Sequence, residues 1–380
     1  MTQNPTSPRM PSPRPLKIAF VIKNFVATGG AERYAVETAQ RLLEKGHKID
    51  IYARQIDFDL TKGMGVFKIV DKMRFSSVLS LYSFSKEVKK RLAGRHYDVI
   101  HSHDKGCYGH VSTVHTFSFK RGKEKMSLLQ KMNEFWISPR AWLYIHMENI
   151  QAASQRLAAV SEVIKEDIKK SHHRDKGIAI IPPGVDVEKF CPEKVSALRA
   201  KARKDHGLGP DETVVLFVGS EFRRKGLDDL IPALDKKMRL FVVGRQEKTD
   251  YYKGLAKELG VSQNLVFTGL VEDVIPYYAL ADILVLPSVS EAFGMTVLEG
   301  MACGLPVVTS AAAGCSCIIT SGKNGFVFEK PEQISAMLLA LEDKALQKSM
   351  GCLARKKAQS CTWDQTALAY EKLYHEAVNR

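Results

Sequence analysis

Short apolar runs alternate with longer stretches whose apolar positions recur every three or four residues, and the alternation continues along most of the 380-residue chain. Residues 17–22, 47–53, 66–70, 98–103, 112–116, 156–160 and 178–181 read as strands. Between them, 29–46, 77–93 and 161–170 carry helical stripes, the first ended by Gly46 and the last opened by Ser161 as N-cap. A turn at Pro182-Pro183-Gly184 and a charged helical segment at 189–209 interrupt the series. It resumes with strands at 213–219, 239–243, 265–268, 282–286 and 305–308, and helices opening after Gly226 and closing at Gly260 and Gly304. Strands separated by helices predict parallel sheets covered on both faces. The length and the break near residue 187 predict two α/β domains of Rossmann type. The expected division is a polar, proline-rich tail (1–15), a first domain (16–186), a second (187–361) and a final helix (362–380). That helix places Trp363, Ala367, Tyr370 and Tyr374 on one face.

The most informative stretch is 282–310. A buried strand stops at Pro287, and a polar loop leads to Glu291. A helical run then carries Met295, Val297, Leu298 and Met301. Such strand–loop–helix units hold ligands at the carboxyl edge of α/β sheets. Glu291 and Glu299 have seven residues between them. The spacing puts their backbones about 12 Å apart if helical, with Glu299 about two turns in. Two carboxylates so separated suit two hydrogen-bonding stations on one extended ligand better than a hydrolytic pair flanking one bond. Between them the amides of Phe293, Gly294, Met295 and Thr296 offer an anion cradle, with Gly294 permitting close approach. An anion flanked by two hydroxyl-rich groups describes a nucleotide diphosphate sugar.

EAFGMTVLEGMACGLPVV resembles the signature of retaining glycosyltransferase family four, enzymes of the GT-B fold. The resemblance runs from about Lys17 to the C-terminus. VGSEFRRKGLDDLI further resembles the phosphate-binding stretch of bacterial lipopolysaccharide-core glucosyltransferases. The resemblance implies two Rossmann-like domains facing across a cleft, with the final helix returning to the first. It implies that Lys225 with Arg224 or Arg223 meets the diphosphate, since Ser220 stands where many members carry an arginine. Glu291 would bind sugar hydroxyls, Glu299 the ribose, His115 would face the sugar, and Gly29-Gly30 would be the glycine loop across the cleft. Gly244 marks a loop near which the family binds the base. His103 is a weaker candidate than His115.

Charge sharpens the picture of partners. Residues 1–150 hold 25 Lys and Arg against 13 Asp and Glu, whereas 151–380 hold 31 against 29, so the net +14 belongs almost wholly to the first domain. An anionic partner follows: membrane surface, phosphorylated glycolipid or nucleic acid. Within 117–136, Lys120, Arg121, Lys123, Lys125 and Lys131 interleave with apolar and aromatic residues, a pattern suited to an anionic membrane surface or to an ordinary packed helix. No nucleic-acid module accompanies it. No apolar run reaches the length of a membrane span, and seven cysteines without an even framework fit free thiols in a cytosol. Cys107, His101, His103, His110 and His115 match no metal-ligand spacing, and neither metal nor cofactor is expected. The expectation is therefore a metal-independent retaining hexosyltransferase. It would use a nucleotide sugar, UDP-glucose first, and a cell-envelope acceptor such as lipopolysaccharide core, and lie peripherally on the inner face of the cytoplasmic membrane. The competing readings are a nucleotide-sugar epimerase of the same fold and a non-catalytic sugar-nucleotide or membrane-binding protein.

Overall fold

The computed structural model describes residues 14–70, 76–107, 109–121, 139–246 and 248–378. Residues 122–136 of the basic, aromatic segment and most of the N-terminal tail lie outside them.

Fifteen strands are present among the described residues. The first nine are β1 (Lys17–Val21), β2 (Asn24–Phe25), β3 (Lys48–Ala53), β4 (Gln55–Ile56), β5 (Gly65–Lys68), β6 (Val99–Ser102), β7 (Val111–Val114), β8 (Arg156–Ala159) and β9 (Ile178–Ile180). Seven of them form one parallel sheet in the order β5-β3-β1-β6-β7-β8-β9, and β2 with β4 form a small side ribbon. A second parallel sheet holds β10 (Thr213–Val218), β11 (Met238–Val243), β12 (Leu265–Gly269), β13 (Ile283–Leu286), β14 (Val307–Ser310) and β15 (Phe326–Phe328), ordered β12-β11-β10-β13-β14-β15. In each sheet the order reverses beside the first strand, β1 or β10, and crevices for ligands open at the carboxyl ends there. Both sheets are covered on two faces, which is why β10 and β13 read as unbroken apolar runs rather than alternating ones.

The helices of the first half are α1 (Gly30–Glu44), α2 (Ser77–Leu92), α3 (Pro139–Ala152) and α4 (Glu162–His172). Ser161 caps α4 as its residue type predicts, its hydroxyl accepting from the Ile164 amide at 3.3 Å. The second half carries α5 (Pro192–Asp205), α6 (Leu227–Ala233), α7 (Thr249–Glu258), α8 (Ile275–Leu280), α9 (Met295–Ala302), α10 (Gln333–Ala340) and α11 (Lys344–Ala358). The last helix, α12 (Trp363–Val378), returns to the first half. Trp363, Ala367, Tyr370 and Tyr374 are all buried there against Tyr34, Ala35 and Leu42 of α1, so the stripe seen in the sequence is a core face. Each such large side chain removed from water is worth roughly 1.5–3 kcal/mol, which holds the end of the chain on a half it left at residue 181.

Several elements differ from the pattern in the sequence. The helix at 295 begins only at Met295, so Glu299 lies one turn in rather than two. Helices α3, α8, α10 and α11 and strands β2, β4 and β15 have no counterpart in that pattern: the strands are two or three residues long, and α10 carries Met337, Leu338 and Leu339 in a row, which blurs the helical period. No helix of the described residues is long and apolar enough to cross a membrane.

Candidate active site

The loop between β13 and α9 is built by close packing. Gly226 lies with its α-carbon against the Pro287 carbonyl, where an added Cβ would come within 1.9 Å, so the loop after β10 and the loop after β13 touch. The Val289 amide donates to the Arg224 carbonyl at 3.0 Å and zips the two loops together. Gly294 has φ +97°, and a Cβ there would press on Leu286 and Cys315 at 3.0 and 3.1 Å. Only glycine makes this entry into α9 without strain.

That packing brings the predicted charges to one point. The Lys225 ammonium donates to Glu291 Oε2, and Arg224 Nη1 reaches the same oxygen at 3.2 Å. Arg224 is further fixed by the Ser290 carbonyl at 2.8 Å and by Glu221 at 2.5 Å. Arg223 lines a hollow with Arg224, Lys248, Tyr252 and Ser290, and among the described contacts only Arg224 of the two pairs with Glu291. Of the two arginines, Arg224 is therefore the one beside Lys225. Phe293 is buried beneath the loop, Met295 packs against the cores of both halves, and Thr296 Oγ1 is buried with no hydrogen-bond partner among the described residues. A buried hydroxyl left unbonded is costly unless a ligand or water completes it. Gly244 closes β11; its amide donates to the Gly269 carbonyl at 3.0 Å, and its α-carbon lies against the Gly219 carbonyl.

Glu299 is not open to the cleft as a free station. It is 6% exposed; Arg33 Nη1 donates to Oε1 at 2.6 Å and the Tyr278 hydroxyl to Oε2 at 2.9 Å. Arg33 belongs to α1, one turn past Gly29 and Gly30, so the glycine turn of the first half sets the position of a cation on the second half's carboxylate. The halves also meet where the Ser161 hydroxyl donates to the Ala292 carbonyl at 2.6 Å and where Arg121 lies 3.5 Å from Ser290 Oγ. Neither Arg33 nor Tyr278 stands out in the sequence: both sit inside ordinary helical patterns, and their partner is remote in the chain.

At the carboxyl ends of β6 and β7 the first half holds neutral rings. His115, just beyond β7, lies 3.0 Å from His103 through Nε2 and Nδ1, with the rings stacked. Burial pushes the His115 imidazole down to about 3 and His103 and His101 well below their ordinary value. Behind them, His101 Nε2 is 2.7 Å from the Thr113 hydroxyl and Nδ1 is 2.7 Å from the Tyr374 hydroxyl. Thr113 continues to Tyr370 at 2.5 Å and Tyr370 to Tyr34 at 3.0 Å. His101 and the His103–His115 pair thus contact hydroxyls and each other, while His103 Nε2 is buried with no hydrogen-bond partner among the described residues. Among the described residues no group of three or more His, Cys, Asp or Glu side chains is arranged to hold a metal ion.

Comparison with known proteins decides the family. A glycosyltransferase family 4 model matches residues 28–189, and a glycosyl transferases group 1 model matches residues 199–357, so each sheet is covered by its own match. The chain belongs to the GT-B glycosyltransferases. A D-inositol 3-phosphate glycosyltransferase of Geodermatophilus obscurus is 29% identical over 397 residues, 92% of this chain and 85% of the relative. The lipopolysaccharide glucosyltransferase WaaG of Escherichia coli K12 is 27% identical over 334 residues, 84% of this chain and 88% of the relative. A crystal structure of WaaG superposes with a TM-score of 0.79 at 24% identity, covering 93% of this chain and 98% of that one. HepE of Anabaena, solved in complex with UDP-glucose, superposes with a TM-score of 0.72 at 18% identity over 95% and 100% of the two chains. The last two likenesses show the fold, and the glycosyltransferase family agrees with it.

Proposed function

We propose that this glycosyltransferase moves a hexose, glucose in the first instance, from a UDP-sugar to an anionic cell-envelope acceptor of the lipopolysaccharide-core kind, with retention of anomeric configuration. One observation carries the reading: Lys225 and Arg224 converge on Glu291 beside the amide-bearing entry to α9. Breaking the sugar–phosphate bond leaves new negative charge on the nucleoside diphosphate. Fixed cations and backbone amides that already surround that position stabilise it without reorganising. Glu291, held by the two cations, hydrogen-bonds sugar hydroxyls, and Glu299 takes the ribose. The neutral His115 faces the sugar across the cleft, where an uncharged imidazole polarises a hydroxyl without repelling the cations. Gly29 and Gly30 give the acceptor side its close approach, and Gly244 borders the base. A same-face attack by the acceptor hydroxyl fits a site in which no carboxylate stands free as a nucleophile among the described residues. The reading assigns the leaving group's charge to Arg224 and Lys225 and none of it to a metal.

The UDP-glucose complex of HepE supports the donor, and WaaG's name supports a lipopolysaccharide acceptor. The inositol-phosphate enzymes are similar to this chain over as much of its length, so a phosphorylated polyol belongs in any acceptor panel. The excess of basic residues before position 150 supports an anionic acceptor and peripheral contact with an anionic membrane. The test is binding and slow hydrolysis across a panel of nucleotide sugars, with added divalent metal and EDTA as parallel arms. UDP-glucose should bind tightest and hydrolyse in EDTA. Equal turnover of all donors overturns the donor assignment, and loss of turnover in EDTA overturns the metal-free mechanism. Conversion of the donor's sugar without any acceptor would replace the proposal with an epimerase.

A further inference from the structure

The contact that pattern reading missed has a function of its own. Arg33 stands in the first turn of α1, where its amide donates to the Gly29 carbonyl at 3.1 Å, and its side chain leaves the first half altogether. Its guanidinium passes 5.8 Å from the Phe190 ring centroid and ends on Glu299, 2.6 Å away. Glu299 is almost wholly enclosed. The groups that face it are Arg33 from α1, the Tyr278 hydroxyl from α8, and Cys303 one turn along α9. Burial pushes both the Tyr278 hydroxyl and the Cys303 thiol up, so both are neutral. Among the described residues Arg33 is therefore the one cation paired with this carboxylate, and it comes from the opposite side of the cleft. A buried carboxylate deprived of its partner is strongly disfavoured, and it would swing to other donors.

We propose that Arg33 is a positioning residue for the donor: from the first half it holds the Glu299 carboxylate aimed, so that it can accept hydrogen bonds from the two ribose hydroxyls of the nucleotide. Each carboxylate oxygen has two acceptor positions, and Arg33 and Tyr278 take one apiece, leaving one on each for a ribose diol. Donor affinity then depends on how the halves are docked, because the ribose station is complete only when α1 lies against α9. The inference rests on the assignment of Glu299 to the ribose.

The test compares UDP with 2′,3′-dideoxyuridine diphosphate, by calorimetry, on the whole protein and on Arg33→Gln, Arg33→Lys and Glu299→Gln. The wild-type protein should prefer UDP by about tenfold or more, the worth of hydrogen bonds to a charged group. Arg33→Gln should lose most of that preference while binding the dideoxy nucleotide as before, and Arg33→Lys should regain part of it. A merely structural role would weaken both nucleotides equally and leave their ratio unchanged; that result overturns the inference. Arg33→Lys carries the test if the glutamine variant does not fold: a lysine variant that matches the wild-type ratio supports retention of charge, and one that loses affinity for both nucleotides alike counts against. Glu299→Gln separates the two layers. If it keeps the wild-type ratio, the ribose assignment itself falls; if it loses the ratio while Arg33→Gln keeps it, only the role of Arg33 falls.

Discussion

The two walls of the cleft solve the problem of burying polar groups in opposite ways. The second half uses charge against charge: Lys225 and Arg224 share Glu291, Arg224 also holds Glu221, and Glu299 borrows Arg33. The first half removes charge and links neutral hydroxyls and imidazoles into one chain, from Tyr34 through Tyr370, Thr113 and His101 to Tyr374, with the stacked His103–His115 pair alongside. The difference follows from pairing. Arg224 and Glu221 reach water, and the largely buried Lys225, Glu291 and Glu299 each have an opposite charge beside them, whereas the buried histidines have only neutral neighbours and ionise at great expense. A wall of fixed charge is suited to a departing diphosphate, and a neutral wall to hydroxyl-bearing groups whose proton inventory must not change with each turnover.

The contrast can be broken at three places. Lys225→Ala removes the cation closest to Glu291, and turnover of the nucleotide sugar should fall by about 10²- to 10³-fold, as when one preorganised donor to a developing anion is lost. Steady-state kinetics with saturating donor would show it, and a loss under threefold would deny the second wall its electrostatic role. Acid should attack the other wall. His101, His103 and His115 all have folded values below that of the unfolded chain, so the unfolded state binds more protons as pH falls. Their contribution is full above about 6.5 and drains away as pH drops towards about 3 for His115, a loss of a few kcal/mol. Asp104, raised to about 6 by burial, works in the opposite sense, as do the raised carboxyls of Glu37, Asp167 and Asp229, while the lowered imidazoles of His47, His110 and His172 add to the three histidines. The fluorescence of Trp363, buried in the first core, should report melting at a lower temperature at pH 5 than at pH 7.5. A flat profile would mean that the histidines are not held neutral. The smallest effect belongs to Tyr374→Phe. It strands His101 Nδ1 without its hydrogen-bond partner and should cost about 1–3 kcal/mol in thermal unfolding, with donor kinetics unchanged.

What could be foreseen divides along similar lines. The strand at 282–286, the loop and the helix from Met295 are legible because Pro287, Gly294 and Gly304 punctuate them locally; motif resemblance assigns Lys225 and Glu291 to one donor site, but their direct contact appears only in the fold. Which arginine accompanies them was not legible, since Arg223 and Arg224 are adjacent and only the packing of Gly226 on Pro287 decides which turns inward. Arg33 and Tyr278 were invisible for a different reason. Each occupies a helical position with an adequate local role, and their meeting at Glu299 arises from the docking of whole halves, a property with no period in the chain. The histidines were noticed as strand-end residues, but their coupling to α12 through Tyr374 and Thr113 needed the fold.

The backbone passes between the halves at two places that lie side by side. Val185 pairs with Thr362 as a parallel bridge, the Val185 amide donates to the Cys361 carbonyl at 2.9 Å, and Gly184 sits so close to Trp363 that a Cβ would come within 2.1 Å of its amide nitrogen. Two stitches at one seam act like a door hung on a single edge. Sliding the halves past one another would tear this bridge and pull the core helix α12 from its seat, whereas a rotation about the seam would strain neither.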